Sequence, residues 1–189
     1  MCSSDLGLFV ALGRLYGPTV LRHALTVYVE VLRGTPLMLQ LYVLFYLLKL
    51  PPWVAGIGGL ALNYSAYEAE IYRAGLQAIP GGQMEAALAL GMSRALALRR
   101  VVVPQALRIV IPPVTNDFIA LFKDTSVCSA ILITELTRKY NELYNFNRDY
   151  IVELVFITGG LYLLMSYPLA LAARSLETRL SVQKTGGKP

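Results

Sequence analysis

The side chains of this chain that could do chemistry are polar or ionisable groups set inside apolar runs. Glu68, Glu70 and Arg73 fall in one such run; Asn116, Asp117, Lys123, Asp124, Thr125 and Ser126 fall in another. A charged group at membrane depth costs about 2.5–3.5 kcal/mol on insertion scales, so such groups face the protein interior or water. The chemistry they suit is recognition and passage of a polar solute rather than bond making. Glu68, Glu70, Asn116, Asp117, Lys123, Thr125 and Ser126 are therefore the candidate lining of a translocation path. A second reading stands beside this one for each group. Glu70 and Arg73 are three apart and can pair on one helix face, which would make them an internal tie near one end of a span. The group around Lys123 would equally suit a plain turn at the outer interface.

Catalytic equipment is not expected. The sequence has one histidine, His23, and two cysteines, Cys2 and Cys128. These are too few for a disulfide framework or a metal site, and no Ser-His-acid set can be assembled around His23 with assurance. Thr185-Gly186-Gly187-Lys188-Pro189 lacks the spacing, the preceding strand and the following Ser or Thr of a phosphate-binding loop.

The surroundings of these groups are apolar. Hydrophobic residues make up 56% of 189, charged residues 15%, and mean hydropathy is +0.53. A soluble domain carries about 25% charged residues, so the shortfall predicts an all-α integral membrane protein in contact with a lipid bilayer. The net charge of +5 is gathered in clusters, which suits membrane loops better than a nucleic-acid groove. No nucleic-acid partner is expected.

A polar, basic stretch separates the two runs: Ile79-Pro80-Gly81-Gly82-Gln83-Met84-Glu85-Ala86-Ala87-Leu88-Ala89-Leu90-Gly91, continuing through Arg99 and Arg100 to Pro104. Pro80, Gly81 and Gly82 break the preceding helix. Gln83 to Leu90 are helix formers with Met84, Ala87 and Leu88 on one face. Gly91 is placed for a left-handed cap, and Ser93 can cap a second helix that Pro104 interrupts. The product is an angled pair of short helices, a knob for another protein to grip.

Glu85-Ala86-Ala87, then Gly91, then Val101 and Val103-Pro104 at the matching intervals, resembles the EAA loop of bacterial ABC-importer permeases. Val101 and Val103 stand where that family usually has Ile and Leu. Tyr28-Val29-Glu30-Val31-Leu32-Arg33-Gly34-Thr35-Pro36 resembles the branch that imports polar amino acids such as histidine, glutamine and arginine. Asn116-Asp117-Phe118-Ile119 and Lys123-Asp124-Thr125-Ser126 resemble further elements of that branch. The resemblance runs from about Gly7 to Leu180 and implies a type I ABC-importer transmembrane domain.

Taken in order, residues 1–189 read as one transmembrane permease domain of about five spans: 6–13, 36–50, 54–79, 106–122 and 150–173. The first is too short to cross and reads as incomplete, as though the start were truncated or artificial. Residues 25–32 form an amphipathic interfacial helix with Tyr28 as its anchor, and Arg33 is a second interfacial anchor. Thr35 caps the second span and Pro36 takes its first position. Trp53 sits at the outer interface, and Pro112 and Pro113 kink the fourth span. Residues 135–149 are an outer loop or surface helix. Gly159, Gly160 and Ser166 permit close helix approach, and the tail is disordered from Lys184. Basic residues set the orientation: Arg14, Arg22, Arg33, Arg94, Arg99, Arg100, Arg108, Arg174, Arg179, Lys184 and Lys188 lie on one side, against Lys49, Arg138, Lys139 and Arg148 on the other. The positive-inside rule places the loop at 80–105 and the C-terminus in the cytoplasm.

What the resemblance implies is a multi-pass permease of the bacterial cytoplasmic membrane. It would pair with a second permease subunit, as homo- or heterodimer, with two ABC ATPase subunits that hold ATP and magnesium, and with an extracytoplasmic substrate-binding protein. Glu85, Ala86, Ala87, Gly91 and Pro104 would couple it to the ATPase. The acidic Glu68, Glu70 and Asp117 lean toward a cationic amino acid. A secondary transporter or channel would explain the spans and buried charges but not the coupling loop; inverted repeats would favour it, and the sequence shows none. A scaffold whose basic loops bind anionic lipid leaves the same loop unexplained.

Overall fold

The computed structural model describes residues 2–146 and 148–181, and these are helical with no strand among them. The basic tail from Lys184, including Lys188, lies outside the described residues. The helices are α1 (Cys2–Tyr16), α2 (Thr19–Gly34), α3 (Leu37–Tyr42), α4 (Pro52–Gln77), α5 (Gly81–Ala89), α6 (Arg94–Ala97), α7 (Val103–Asp124), α8 (Leu136–Phe146) and α9 (Ile151–Ser181).

The bundle is built around α4, which packs against α1, α2, α3 and α7. Its small residues allow this. Ala66 and Ala69 are fully buried with Val10 and Ala11 of α1 and Val29 of α2. Farther toward the other end, Ala55 joins Leu41, Cys128, Ile131 and Ile133 in a second core. At Gly75 a β-carbon would lie 2.1 Å from Val110 Cγ2, so α4 and α7 meet there at backbone distance. Gly159 and Gly160 do not serve that purpose among the described residues, none of which comes within 4 Å of a β-carbon at either.

α1 begins at Cys2, four residues before the expected first span, and continues to Tyr16. α2 covers twice the expected interfacial helix. Leu25, Tyr28, Val29 and Leu32, at i, i+3, i+4 and i+7, form its inner face. Tyr28 is therefore no interfacial anchor: its hydroxyl lies 2.6 Å from Ser65 Oγ and donates to Leu62 O at 3.2 Å. Thr35 does not cap α3 either, because its hydroxyl donates back to Val31 O at 2.7 Å and Pro36 takes the N-cap position. α3 ends in a π-helical turn, Val43–Leu47, well short of residue 50. α7 passes through Pro112 and Pro113 as one helix.

α4 has 26 residues, α7 has 22 and α9 has 31. At 1.5 Å per residue each exceeds the ~30 Å hydrocarbon core. Length and apolarity together single out one helix among the described residues, the segment Arg148–Thr178; α4 and α7 carry more polar and charged groups. The apolar stretch of α9 is unburied by the rest of the chain, with Phe156, Leu163 and Leu164 turned outward. Such a surface suits lipid or another subunit.

The surface helix α8 is fixed by Glu135. Its carboxylate accepts from the backbone N–H groups of Thr137 and Arg138 at 2.8 and 2.6 Å, and from Tyr162 Oη of α9 at 2.9 Å. Replacing Glu135 by alanine removes an N-terminal cap worth about 1 kcal/mol together with the tie to α9. The expected result is faster hydrogen exchange across 136–146 with exchange in α4 unchanged; equal protection in both would refute the role.

Candidate functional site: an exposed helical knob and a charged cavity

The first element is the turn between α5 and α6. Pro80 is the N-cap of α5, and Gly81 and Gly82 form its first turn instead of preceding it. Gly91 has φ +81°, Gly91 N–H donates to Leu88 O at 2.9 Å, and Met92 N–H donates to Ala87 O at 3.1 Å. This paired Schellman pattern closes the helix end. Ser93 Oγ then accepts from Leu96 N–H at 3.3 Å to start α6. Glu85 and Ala86 are exposed, as is Leu90 at 81%, whereas Ala87 is buried against the chain itself. Ala87 thus supports the knob from beneath and is not part of its outer face. Arg94, Arg99 and Arg100 are exposed beside it.

Pro104 does not interrupt the second helix. A π-helical turn, Leu98–Val102, precedes it, with Val103 N–H donating five residues back to Leu98 O. The wider turn absorbs the missing N–H and the ring clash of the proline, and the chain continues into α7. Gln105 Nε2 donates to Val101 O at 3.0 Å and reaches Gln83 Oε1 at 3.5 Å, holding the base of α7 against α5.

The second element is a cavity of about 490 Å³ at the joint between α2 and α3. Its wall is broken backbone, from Gly34 to Leu37, and the joint is stapled rather than loose. Gln40 Nε2 donates to Leu32 O at 2.8 Å and Thr35 O at 3.1 Å, while Asn63 Nδ2 donates to Gln40 Oε1 at 3.1 Å. Backbone left open at membrane depth is tolerated where protein or a water-filled cavity satisfies it. Charged groups project from two helices, α2 and α7. Arg33 lines the cavity with its guanidinium over the Tyr67 ring, 5.4 Å from the centroid. Asp117 and Asp124 of α7 face it, Asp124 Oδ2 accepting from Tyr64 Oη at 2.7 Å. Asp117 Oδ2 is buried with no hydrogen-bond partner among the described residues.

Of the residues expected along a path, Asp117 alone lines this cavity. Glu68 is 5% exposed and lies against α1, accepting from Ser4 Oγ at 3.2 Å, with its other oxygen lacking a hydrogen-bond partner among the described residues. Glu70 is held between Arg14 and Arg73. Asn116 and Lys123 are exposed and outside the cavity; Thr125 donates to Phe122 O at 2.7 Å, and Ser126 lies with it in a 3₁₀ segment, Thr125–Ile131. Sequence reasoning passed over Asn63, Tyr64 and Tyr67. Their signal was a run of hydrogen-bonding side chains, Asn63, Tyr64, Ser65 and Tyr67, directly after the small, apolar first half of α4.

An open cavity with charged walls, long apolar helices and an exposed helical knob are features that suit a membrane transport component. Over residues 5–182 the chain matches the family described as binding-protein-dependent transport system inner membrane component. It belongs to that family, whose members are transport permeases, not enzymes. Relatives include the L-cystine transport system permease protein TcyB of Bacillus subtilis (strain 168), 40% identical over 93% of this chain and 77% of the relative. The glutamine transport system permease protein GlnP of Escherichia coli (strain K12) is 34% identical over 94% of this chain and 84% of its own length. A crystal structure of an amino acid ABC transporter with histidines superposes at TM-score 0.86, with 35% identity, covering 94% of this chain and 85% of that one. The all-α, type I importer fold expected from sequence is the fold found.

Proposed function

We propose that this chain is the membrane permease subunit of an ATP-driven importer for amino acids, and that its energy comes from a separate ATPase docking on the α5–α6 knob. The observation that carries the reading is that knob: a rigid, glycine-capped turn presenting Glu85, Ala86 and Leu90 outward beside three exposed arginines. The positive-inside distribution supports a cytoplasmic position for it and for the C-terminus. The α2–α3 joint is the passage for the amino acid, with Arg33 facing a carboxylate and Asp117 or Asp124 facing an ammonium group. α8 lies on the side of the substrate-binding protein, and a second permease subunit completes the path. Closure of the ATPase pair on ATP draws two knobs together, and the α4–α7 bundles rock to admit the solute from outside. Hydrolysis then resets them. ATP and magnesium reside on the partner.

The test is co-purification of the tagged chain with ATPase subunits encoded beside it. A stable complex that weakens on Glu85→Lys and hydrolyses ATP faster with the loaded binding protein is the expected outcome. A chain that inserts normally and associates with no ATPase overturns the proposal.

A further inference from the structure

We infer that Glu70 is a positioning residue, the junction through which displacement of the coupling knob is passed to α1. The inference rests on the permease reading and gives one of its helices a mechanical role. Glu70 Oε2 accepts from Arg14 Nη1 of α1 at 2.8 Å and from Arg73 Nε at 3.1 Å; its other oxygen accepts from Arg73 Nη2. Arg73 also donates through Nη1 to Gln77 Oε1, at the last residue of α4. Ala78, Ile79 and Pro80 are all that separate Gln77 from α5. A continuous polar chain therefore runs from α1 across α4 to the threshold of the knob.

Two features separate this cluster from an ordinary surface pair. The Arg14 side chain is 11% exposed and that of Glu70 24%, and parting them leaves an incompletely solvated charge on each helix. An exposed pair exchanges its partner for water at little loss; this one cannot. The two arginines also act differently. Arg73 shares a helix with Glu70 and orients the carboxylate, whereas Arg14 alone carries the link to another helix. Glu70 is not among the residues lining the cavity, so the cluster does not meet the solute there. The rest of the α1–α4 contact is apolar packing of Val10 and Ala11 against Ala66 and Ala69, with the Ser4 hydroxyl donating to Glu68 at 3.2 Å, so Arg14–Glu70 is the one ion pair between the two helices among the described residues.

The experiment uses the assembled importer in proteoliposomes and reads amino acid taken up per ATP hydrolysed. Arg14→Gln is expected to lower that ratio about fivefold or more, the range of a typical coupling energy, with basal ATP hydrolysis and subunit assembly retained. Arg14→Lys should restore most of it, and Arg73→Gln should lower it less than Arg14→Gln. A ratio unchanged in Arg14→Gln, or damaged equally by Arg73→Gln, overturns the inference. If Arg14→Gln fails to assemble, the wild-type complex supplies the answer: spin labels on exposed positions of α1 and α4 should keep their separation between nucleotide-free and ATP-trapped states. A change beyond about 5 Å, one helical turn, would show α1 moving on its own and refute the link. A wild-type complex that shows no ATP-driven uptake sinks the permease reading itself, an outcome separate from all of these.

Discussion

Gly91→Val is expected to reduce ATP-driven uptake to less than about a tenth while the protein still inserts and folds. Gly91 sits at φ +81° with nothing within 4 Å of where a β-carbon would go. The obstacle to valine is thus the backbone conformation alone, about 1–2 kcal/mol for an L-residue in the left-handed region and more for a β-branched one. The chain can relieve that strain by opening the Schellman turn, which breaks the bonds from Gly91 and Met92 and swings α6 away from α5. The core is remote from this turn, so thermal stability of the bundle should change little. Gly91→Asn, which tolerates the same region, should keep most of the transport. Uptake by the valine variant at the wild-type rate would mean that the angle between α5 and α6 has no part in coupling.

The second large effect is expected at Asp117. Asp117→Asn preserves size and removes the charge from a carboxylate whose buried Oδ2 has no hydrogen-bond partner among the described residues. Intramembrane carboxylates persist because something uses them. Uptake should fall about tenfold or more, the loss of one charge-assisted contact to an ammonium group, while ATP hydrolysis without solute continues. Tyr64→Phe should have a smaller effect in the same direction, since it frees Asp124 from its hydroxyl partner without neutralising it. An Asp117→Asn variant that transports at the wild-type rate would remove the α2–α3 cavity from the path.

The α5–α6 knob was legible because its signals are local. A glycine that must be left-handed and a serine that must cap declare themselves within four residues of sequence, and both Gly91 and Ser93 do what their spacing predicts. The helical class was legible too, from apolar runs with embedded charge. The cavity was not, because it is a tertiary object. Arg33 and Asp117 are far apart in the chain, and nothing local says that the joint at residues 34–37 turns toward α7. Tyr28 was misplaced for the same reason. Its spacing with Leu25 and Leu32 fits an interfacial helix and a buried one equally, and only the packing of α4 chooses. Thr35 shows the limit of capping rules beside proline: the hydroxyl had a carbonyl four residues back within reach and took it.

The π-helical turn at Leu98–Val102 sets the phase of everything after it. Each residue of an α-helix advances the azimuth by about 100°, so one additional residue in a turn rotates the whole of α7 by that amount relative to the knob. Val102 and Ala106 thereby face inward while Arg99 and Arg100 face out. Asp117 and Asp124, seven apart, are carried round together to the cavity wall. The turn is the gear that keeps the exposed knob and the charged cavity on their separate bearings along the run from α6 through α7.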